Sequence, residues 1–501
     1  MKRLLIFFGV FLICFGVGMY KLTAIPGDWY GDISIVHEYV ASILSGGFPW
    51  QYMTSAGPLY HYLIAPTVLV FGHQYIVYKT LSVCVGMIAL TGMFLLAAEL
   101  LGFEWGMVTT LLAGTSFWWL AWERTGNSQI LIVVLTSYTI WCVLRWRTTG
   151  ALRFVVWGTI LSSLGLFLYP QTWVLPPLYV LLFILSGRPR SYWAGAWMLI
   201  ILSVVAVSWY FVVRNSGTIF AGGYIGSKLW PVFTVSPIVM LSRFALYVWR
   251  TVLMLHIRGD GVFRVNVPGS PQLDGVSGVL FLIGICWWMR RNHTNLFPFL
   301  WIPIMVLILP SVSPALPIAE IPNSGRTIGI LPFVMVLVGS GVRALFERVP
   351  NAYRRWRTIG IGILLISVIG LNGYKYFIQY PQGLPNHNIP TARLIAQFVD
   401  TIPQSVPVYW SDCCWEDHGQ PEPKAVYYQL HTTYGRNNLL AAENLACRDI
   451  ERKHGAYVIG RPDVTWTQPI AACATNGIFT LHTDSAGRDL FGSYYLPSSA
   501  E

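Results

Sequence analysis

Residues 1–75 read MKRLLIFFGVFLICFGVGMYKLTAIPGDWYGDISIVHEYVASILSGGFPWQYMTSAGPLYHYLIAPTVLVFGHQY, and they decide the fold. Lys2-Arg3 stand ahead of an apolar run over 4–20. A cleaved leader ends in small residues. Gly18-Met19-Tyr20-Lys21 does not, so the run reads as an uncleaved first helix, near the length that spans a bilayer. The loop after it is rich in aromatic residues, glycine and proline. Within it, 33–44 and 59–71 each fit a helix lying in the membrane interface.

The rest of the chain continues this pattern. Of 501 residues 54% are hydrophobic and 11% charged, where a soluble protein carries about 25% charged residues. Mean hydropathy is +0.54. These values exclude a disordered chain, a collagen-like chain and an ordinary cytosolic enzyme. The 22 Trp, 26 Tyr and 26 Phe suit helices anchored at two interfaces. Charge divides the chain. Residues 376–501 hold 8 basic and 12 acidic residues, a net of −4, and the remainder holds 25 and 10, a net of +15. The basic excess fits anionic headgroups and the positive-inside rule rather than nucleic acid.

Further apolar runs lie near 76–98, 105–121, 128–144, 154–169, 171–186, 193–213, 276–289, 296–312, 327–342 and 359–375. With the first they make about eleven spans. Tyr169-Pro170 marks a boundary where proline can end a helix or kink it. Short basic loops at Arg145/Arg147/Arg153, Arg188/Arg190, Arg290/Arg291 and from Arg343 to Arg357 fall on the side of Lys2-Arg3, which is then cytoplasmic. The expected fold is mainly α. It is a polytopic, multi-pass helix bundle of the cell membrane over 1–375, with interfacial helices in its external loops. A small extracytoplasmic α/β domain follows over 376–501. In that tail a helix is expected near 391–401, a strand near 406–410, a helix near 445–454 and a strand near 456–460.

This topology sorts the acids. Glu99, Glu104 and Glu347 fall inside, and Asp28, Asp32, Glu38, Glu123, Asp260, Asp274 and Glu320 outside. A transporter or proton pump places acids at mid-membrane, whereas here they gather at the outer mouth. Asp32 reads as the N-cap of the helix over 33–44 or as a base for an acceptor hydroxyl. Asp28 reads as a turn residue and Glu38 as a surface charge. Glu123-Arg124 reads as an ion pair at a helix end, or Glu123 as a second carboxylate beside Asp32. The loop over 214–275 holds Lys228, Arg243, Arg250, Arg258 and Arg264 among aromatic residues, with Arg243 and Arg250 at a heptad spacing on an amphipathic helix over 238–255. These cations, and Arg326 in the last external loop, either snorkel to headgroups or grip a lipid-linked phosphate. Cys14, Cys84, Cys142 and Cys286 lie in apolar runs as small core residues. Cys413, Cys414, Cys447 and Cys473 fit one or two extracytoplasmic disulfides. A zinc site with the tail histidines would be the other use, though no ligand spacing is present.

The order of motifs resembles the GT-C glycosyltransferases that use polyprenyl-phosphate sugars, in particular relatives of the protein O-mannosyltransferases and the lipid A aminoarabinose transferase. The matching residues are Asp32, Gly46-Gly47-Phe48-Pro49, Gly57-Pro58-Leu59-Tyr60, Phe71-Gly72, Glu123-Arg124, Leu164-Gly165-Leu166 with Tyr169-Pro170, the run from Arg258-Gly259-Asp260 to Asp274, and Arg326 before Leu331-Pro332. The likeness covers about 1–380. Asp32 is followed by Ile33 where many relatives have Glu, and Ser55-Ala56-Gly57 lacks the cation some carry before the Pro-Leu-Tyr run.

The resemblance implies an inverting transfer of a hexose or pentose from a polyprenyl-phosphate donor at the extracytoplasmic face. The acceptor would be a protein, lipid or glycan hydroxyl. Asp32 would be the base, with Glu123 orienting the acceptor or assisting. Arg258, Arg326 or Lys228 would meet the lipid phosphate. Glu38, Tyr60, Arg124, Tyr169 and Asp260 complete the expected substrate-binding set. Lipid phosphate is a good leaving group, so no cofactor is demanded, and a divalent metal stays open. The other readings are a lipid-linked sugar flippase or transporter, and a lipid-oligosaccharide ligase.

Overall fold

The computed structural model describes residues 2–30, 32–47, 50–52, 56–187, 192–216, 236–290, 295–410, 425–426, 429–430, 439–441, 455–460, 476–484 and 486–497. The chain packs as two compact units. The first comprises Met1–Leu22, Glu38–Gly72 and Val77–Tyr380, and the second Thr23–His37, His73–Ile76 and Pro381–Glu501.

Every apolar run is helical. In chain order the helices are α1 (Lys2–Met19), α2 (Asp32–Leu44), α3 (Pro58–Phe71), α4 (Tyr75–Leu101), α5 (Phe103–Gly114), α6 (Phe117–Glu123), α7 (Ile130–Thr149), α8 (Leu152–Leu164), α9 (Leu175–Leu185), α10 (Tyr192–Asn215), α11 (Pro237–Leu253), α12 (Gly275–Arg290), α13 (Phe297–Ile308), α14 (Leu331–Phe346) and α15 (Arg354–Tyr374). By length and composition, five stretches of the described residues can cross a membrane: Tyr75–Leu101, Ile130–Thr149, Tyr192–Asn215, Ile328–Phe346 and Arg354–Gly383. The shorter apolar helices include Arg3–Met19, Leu152–Phe167, Pro170–Leu185, Gly275–Arg290 and Phe297–Ser311. α10 turns Leu199, Ile200, Val204 and Val207 outward, as a helix facing lipid does.

The run over 105–121 departs from the expectation of one straight span. Ser116 takes an extended conformation, and its hydroxyl accepts from Trp119 N at 3.3 Å. It therefore acts as an N-cap and restarts the helix as α6. Gly150 ends α7 in the left-handed region at φ 71°, which lets α8 fold straight back. Of the four cysteines assigned to the core, Cys14 and Cys142 are buried and Cys84 and Cys286 are exposed, because the outer face of such a bundle is also apolar.

The tightest helix contact joins α12 and α14. A Cβ on Gly284 would lie 1.9 Å from Leu337 O, and one on Gly341 would lie 2.0 Å from Leu280 O. The two backbones touch, and Trp288 Nε1 donates to Ser340 Oγ at 2.9 Å beside them. Helices in lipid gain no hydrophobic attraction for one another, so close approach at small residues holds them together.

The second unit contains α16 (Thr391–Thr401) and a five-stranded sheet in the order β2-β1-β3-β5-β4. The strands are β1 (Val408–Trp410), β2 (Leu439–Ala441), β3 (Ala456–Gly460), β4 (Ile478–Thr483) and β5 (Asp489–Leu496). β1 runs parallel to β2 and β3, and β5 runs antiparallel to β3 and β4. Ala392, Ile395, Ala396 and Val399 form the buried stripe of α16. α16, β1 and β3 lie where the sequence reads them. The helix expected near 445–454 and the four tail cysteines lie outside the described residues.

Gly284→Ala should cost about 1–3 kcal/mol or more, because the atom it meets is backbone. Gly362→Ala, on α15 with nothing within 4 Å, should be neutral or stabilising by up to about 1 kcal/mol. Thermal unfolding in detergent checks both, and equal midpoints would show that α12 and α14 are not in backbone contact.

Candidate functional site

The site starts from the amphipathic pattern of α11. Tyr247 packs with Val312, Leu316 and Ile321, and its hydroxyl donates to Leu316 O at 2.8 Å. Ile238, Leu241, Trp249 and Val252 are exposed. Beyond α11 the chain closes a tight loop. Gly259 N donates to Gly269 O at 3.1 Å, and Gly269 N to Asp260 O at 2.9 Å. A Cβ on Gly259 would sit 2.1 Å from Ser270 O, so only glycine lets the two limbs meet. Asn266 Nδ2 bridges Asp260 O and Ser270 O, each at 2.8 Å.

Between α11, this loop and residues 318–322 lies an open groove of about 650 Å³, whose lining includes Leu246, Trp249, Arg250, Leu253, Arg258 and Ile321. Arg258 is exposed and makes no ion pair among the described residues. Arg250 gives one N–H to Ile318 O at 3.4 Å. The groove thus sets two guanidinium groups against an apolar wall. That combination suits an anion carried on a hydrocarbon chain.

Asp260 holds the groove's two sides in place. One carboxylate oxygen accepts from Ser324 N at 2.7 Å and Ser324 Oγ at 2.8 Å, and the other from Val262 N at 2.9 Å. Burial pushes its carboxyl above the ordinary range, while these donors and the nearby Arg326 pull it back. Its oxygens are used inside the protein rather than turned toward a substrate. Arg326, in the loop of Ser324, is paired with Glu320 and does not line the groove. Of the three cations expected at a lipid phosphate, the structure sets Arg258 on the groove and leaves Arg326 off its lining. Lys228 lies outside the described residues.

The remaining expected residues are dispersed. Every residue from 112 to 137 is buried, so Glu123 and Arg124 sit inside the first unit rather than in an open external loop. Arg124 Nη1 donates to Val17 O at 2.8 Å, and its guanidinium stacks over Tyr376 and Phe377 at 4.9 and 5.1 Å. Glu123 is enclosed, and neither Oε meets a donor in bonding geometry. A Cβ on Gly86 would be 2.7 Å from its Cγ and one on Gly18 3.3 Å from Oε2, so two glycines make its space. Tyr60 is buried, donating to Gly126 O at 3.2 Å. The Tyr169 carbonyl accepts from Thr172 N at 2.9 Å. Glu38 is half-buried on α2, and Asp32 is the first residue of that helix. Asp28, expected as a turn residue, stands in a bend and does more than turn the chain. It is buried, and it accepts from Trp29 N, Ala392 N and Gln429 Nε2. Among the described residues no group of three His, Cys, Asp or Glu side chains could hold a metal.

Arg250 and Ser324 carry more of the site than the sequence indicated. The heptad pairing of Arg243 with Arg250 was the available signal for the first. Nothing local distinguishes the second.

No family model and no curated protein matches the chain. Solved structures do. ArnT from Cupriavidus metallidurans in the apo state superposes at a TM-score of 0.53 with 12% identity, over 96% of this chain and 97% of that one. The fold is that of the GT-C glycosyltransferases. Within GT-C, the same ArnT bound to undecaprenyl phosphate gives 0.54 with 13% identity over 98% and 97%. The arabinofuranosyltransferase AftD from mycobacteria gives 0.51 with 11% identity, over 98% of this chain and 40% of that one.

Asp260→Ala would leave the Ser324 N–H buried without its acceptor, at a cost of about 1–3 kcal/mol. We expect a lower unfolding midpoint and faster proteolysis within 255–272, whereas Asp260→Asn, which keeps one acceptor oxygen, should lose less. Equal midpoints for all three proteins would show that Asp260 braces nothing.

Proposed function

We propose that this protein is a membrane glycosyltransferase. It moves a sugar from a polyprenyl-phosphate donor to an acceptor hydroxyl at the extracytoplasmic face. The observation that carries the reading is the groove, where Arg250 and Arg258 stand on an apolar wall in a GT-C fold. A lipid phosphate has the matching chemistry: its anion meets the guanidinium pair, and its chain runs along Leu246, Leu253 and Ile321. A protein of the same fold has been solved with undecaprenyl phosphate bound. In this reading all eleven apolar runs cross the membrane, with the N-terminus cytoplasmic and the second unit outside.

Asp32 takes the proton of the acceptor hydroxyl as its oxygen attacks the anomeric carbon. The bond from that carbon to the phosphate oxygen breaks, the configuration inverts, and the lipid phosphate leaves. Arg250 and Arg258 hold the charge that gathers on it, and pre-set cations lower the barrier because they need not reorganise.

The test is transfer of radiolabelled sugar from polyprenyl-phosphate donors in proteoliposomes. Asp32→Asn should lower turnover by about 10²–10⁴-fold with donor affinity little changed. Arg250→Gln combined with Arg258→Gln should instead raise KM for the donor, by about tenfold or more for two charge-assisted contacts. Undiminished transfer by Asp32→Asn would remove the base, and an unchanged KM in the arginine variant would remove the groove from the reading.

A further inference from the structure

We infer that the C-terminal unit takes part in the reaction by positioning Asp32, through a latch made by Asp28. The inference rests on the reading of Asp32 as base.

The latch begins with a defect in α16. A helix leaves its first N–H groups without partners, and the residue before α16 is Pro390, which has no side-chain acceptor to offer. The Asp28 carboxylate supplies one from 364 positions away, accepting from Ala392 N at 2.6 Å. A carboxylate at a helix N-terminus is also favoured by the helix dipole. Its other oxygen accepts from Gln429 Nε2 at 2.8 Å and from Trp29 N at 3.0 Å. Next to it, Asn388 Oδ1 accepts from Gly27 N at 2.6 Å, and Asn388 Nδ2 donates to Ala24 O at 2.7 Å. A Cβ on Gly27 would sit 2.5 Å from Asn388 O, so the two segments lie backbone to backbone.

The latched segment leads straight to Asp32. Trp29 is buried, with its ring edge-on to His37 at 4.8 Å and tilted against Tyr75 at 5.1 Å. Trp29 and His37 flank Asp32 in sequence, so their contact ties together the chain on either side of it. The start of α2 at Asp32 thus lies in sequence between an anchor four residues upstream and another five residues downstream. All of these residues belong to the second unit. Burial pushes the Asp28 carboxyl up to about 6 against the pull of its three donors, a cost that an exposed turn residue does not carry. A base displaced by about 1 Å loses rate on the order of a hundredfold while substrate still binds.

Two readouts on the full-length protein separate a positioning role from a structural one. Hydrogen exchange in detergent should show faster exchange over 26–37 and 391–396 in Asp28→Ala, with α7 and α12 unchanged. Kinetically, Asp28→Ala should lower kcat by about tenfold to a hundredfold with KM for the donor little changed, and should add no loss in an Asp32→Asn background. Unchanged exchange would mean there is no latch. Faster exchange with intact kcat, or an equal further loss in the Asp32→Asn background, would leave Asp28 structural only. A wild type inactive with every polyprenyl-phosphate sugar would overturn the function on which the positioning role rests, and exchange would still decide the latch.

Discussion

Both sides of the groove hang on one buried carboxylate. Asp260 belongs to the loop that carries Arg258, and it holds Ser324 in the loop that continues from Ile318 and Ile321. An ionised group taken out of water is costly unless its lone pairs are satisfied. Three donors on Asp260 meet that requirement, and the same bonds fix the spacing of two loops 64 residues apart. Without them Arg258 would sit on a free loop, and a guanidinium on a free loop gives up entropy on binding that a fixed one has already lost.

The same logic recurs at other helix ends inside the first unit. Asp274 caps α12 through Val276 N and Ser277 N, both at 3.0 Å, and accepts from Asn372 Nδ2 at 2.7 Å. Asn372 in turn takes the N–H of Phe117 at 2.8 Å, tying α15 to the start of α6. Arg124 joins the end of α1 to the rings of Tyr376 and Phe377. In an apolar bundle a helix end has no water to turn to, so these polar residues are committed to other helices. Polar side chains thereby set the register of the bundle, while contacts such as Gly284 on Leu337 set its closeness.

Hydropathy made the bundle legible, since a run of apolar residues in lipid has few alternatives to a helix. The break at Ser116 was less visible because a single hydroxyl decides it. Amphipathic spacing disclosed α11 and put Arg250 on the right helix. It could not separate Arg258, which lines the groove, from Arg326, which Glu320 engages. Topology sorted the acids by side but not by burial, so Glu123 read as an external carboxylate although two glycines enclose it. Asp28 was the hardest to read. The helix it caps begins 363 residues later, and a missing cap at Pro390 points to no particular partner. In the tail, α16 declared itself through its buried stripe. The hairpin of β4 and β5 passed unnoticed, since β4 is mostly exposed and lacks a one-faced pattern.

The disposition of the outer acids is itself an argument about chemistry. A base for a hydroxyl must have a lone pair to spare and must reach the acceptor. Asp28, Asp260 and Asp274 each give their oxygens to backbone or side-chain N–H groups. Glu320 is matched with Arg326, and Glu123 is walled in by α1 and α4. Glu38 is half-buried and already engaged. Asp32, the first residue of α2, is the acid to which the proposed function gives the acceptor's proton, and an aspartate at a helix start also has a capping preference of its own. A cap bond is worth about 1 kcal/mol, less than the several kcal/mol a general base contributes to a barrier. A carboxylate that only caps could be replaced by serine at little cost. One that serves as base could not.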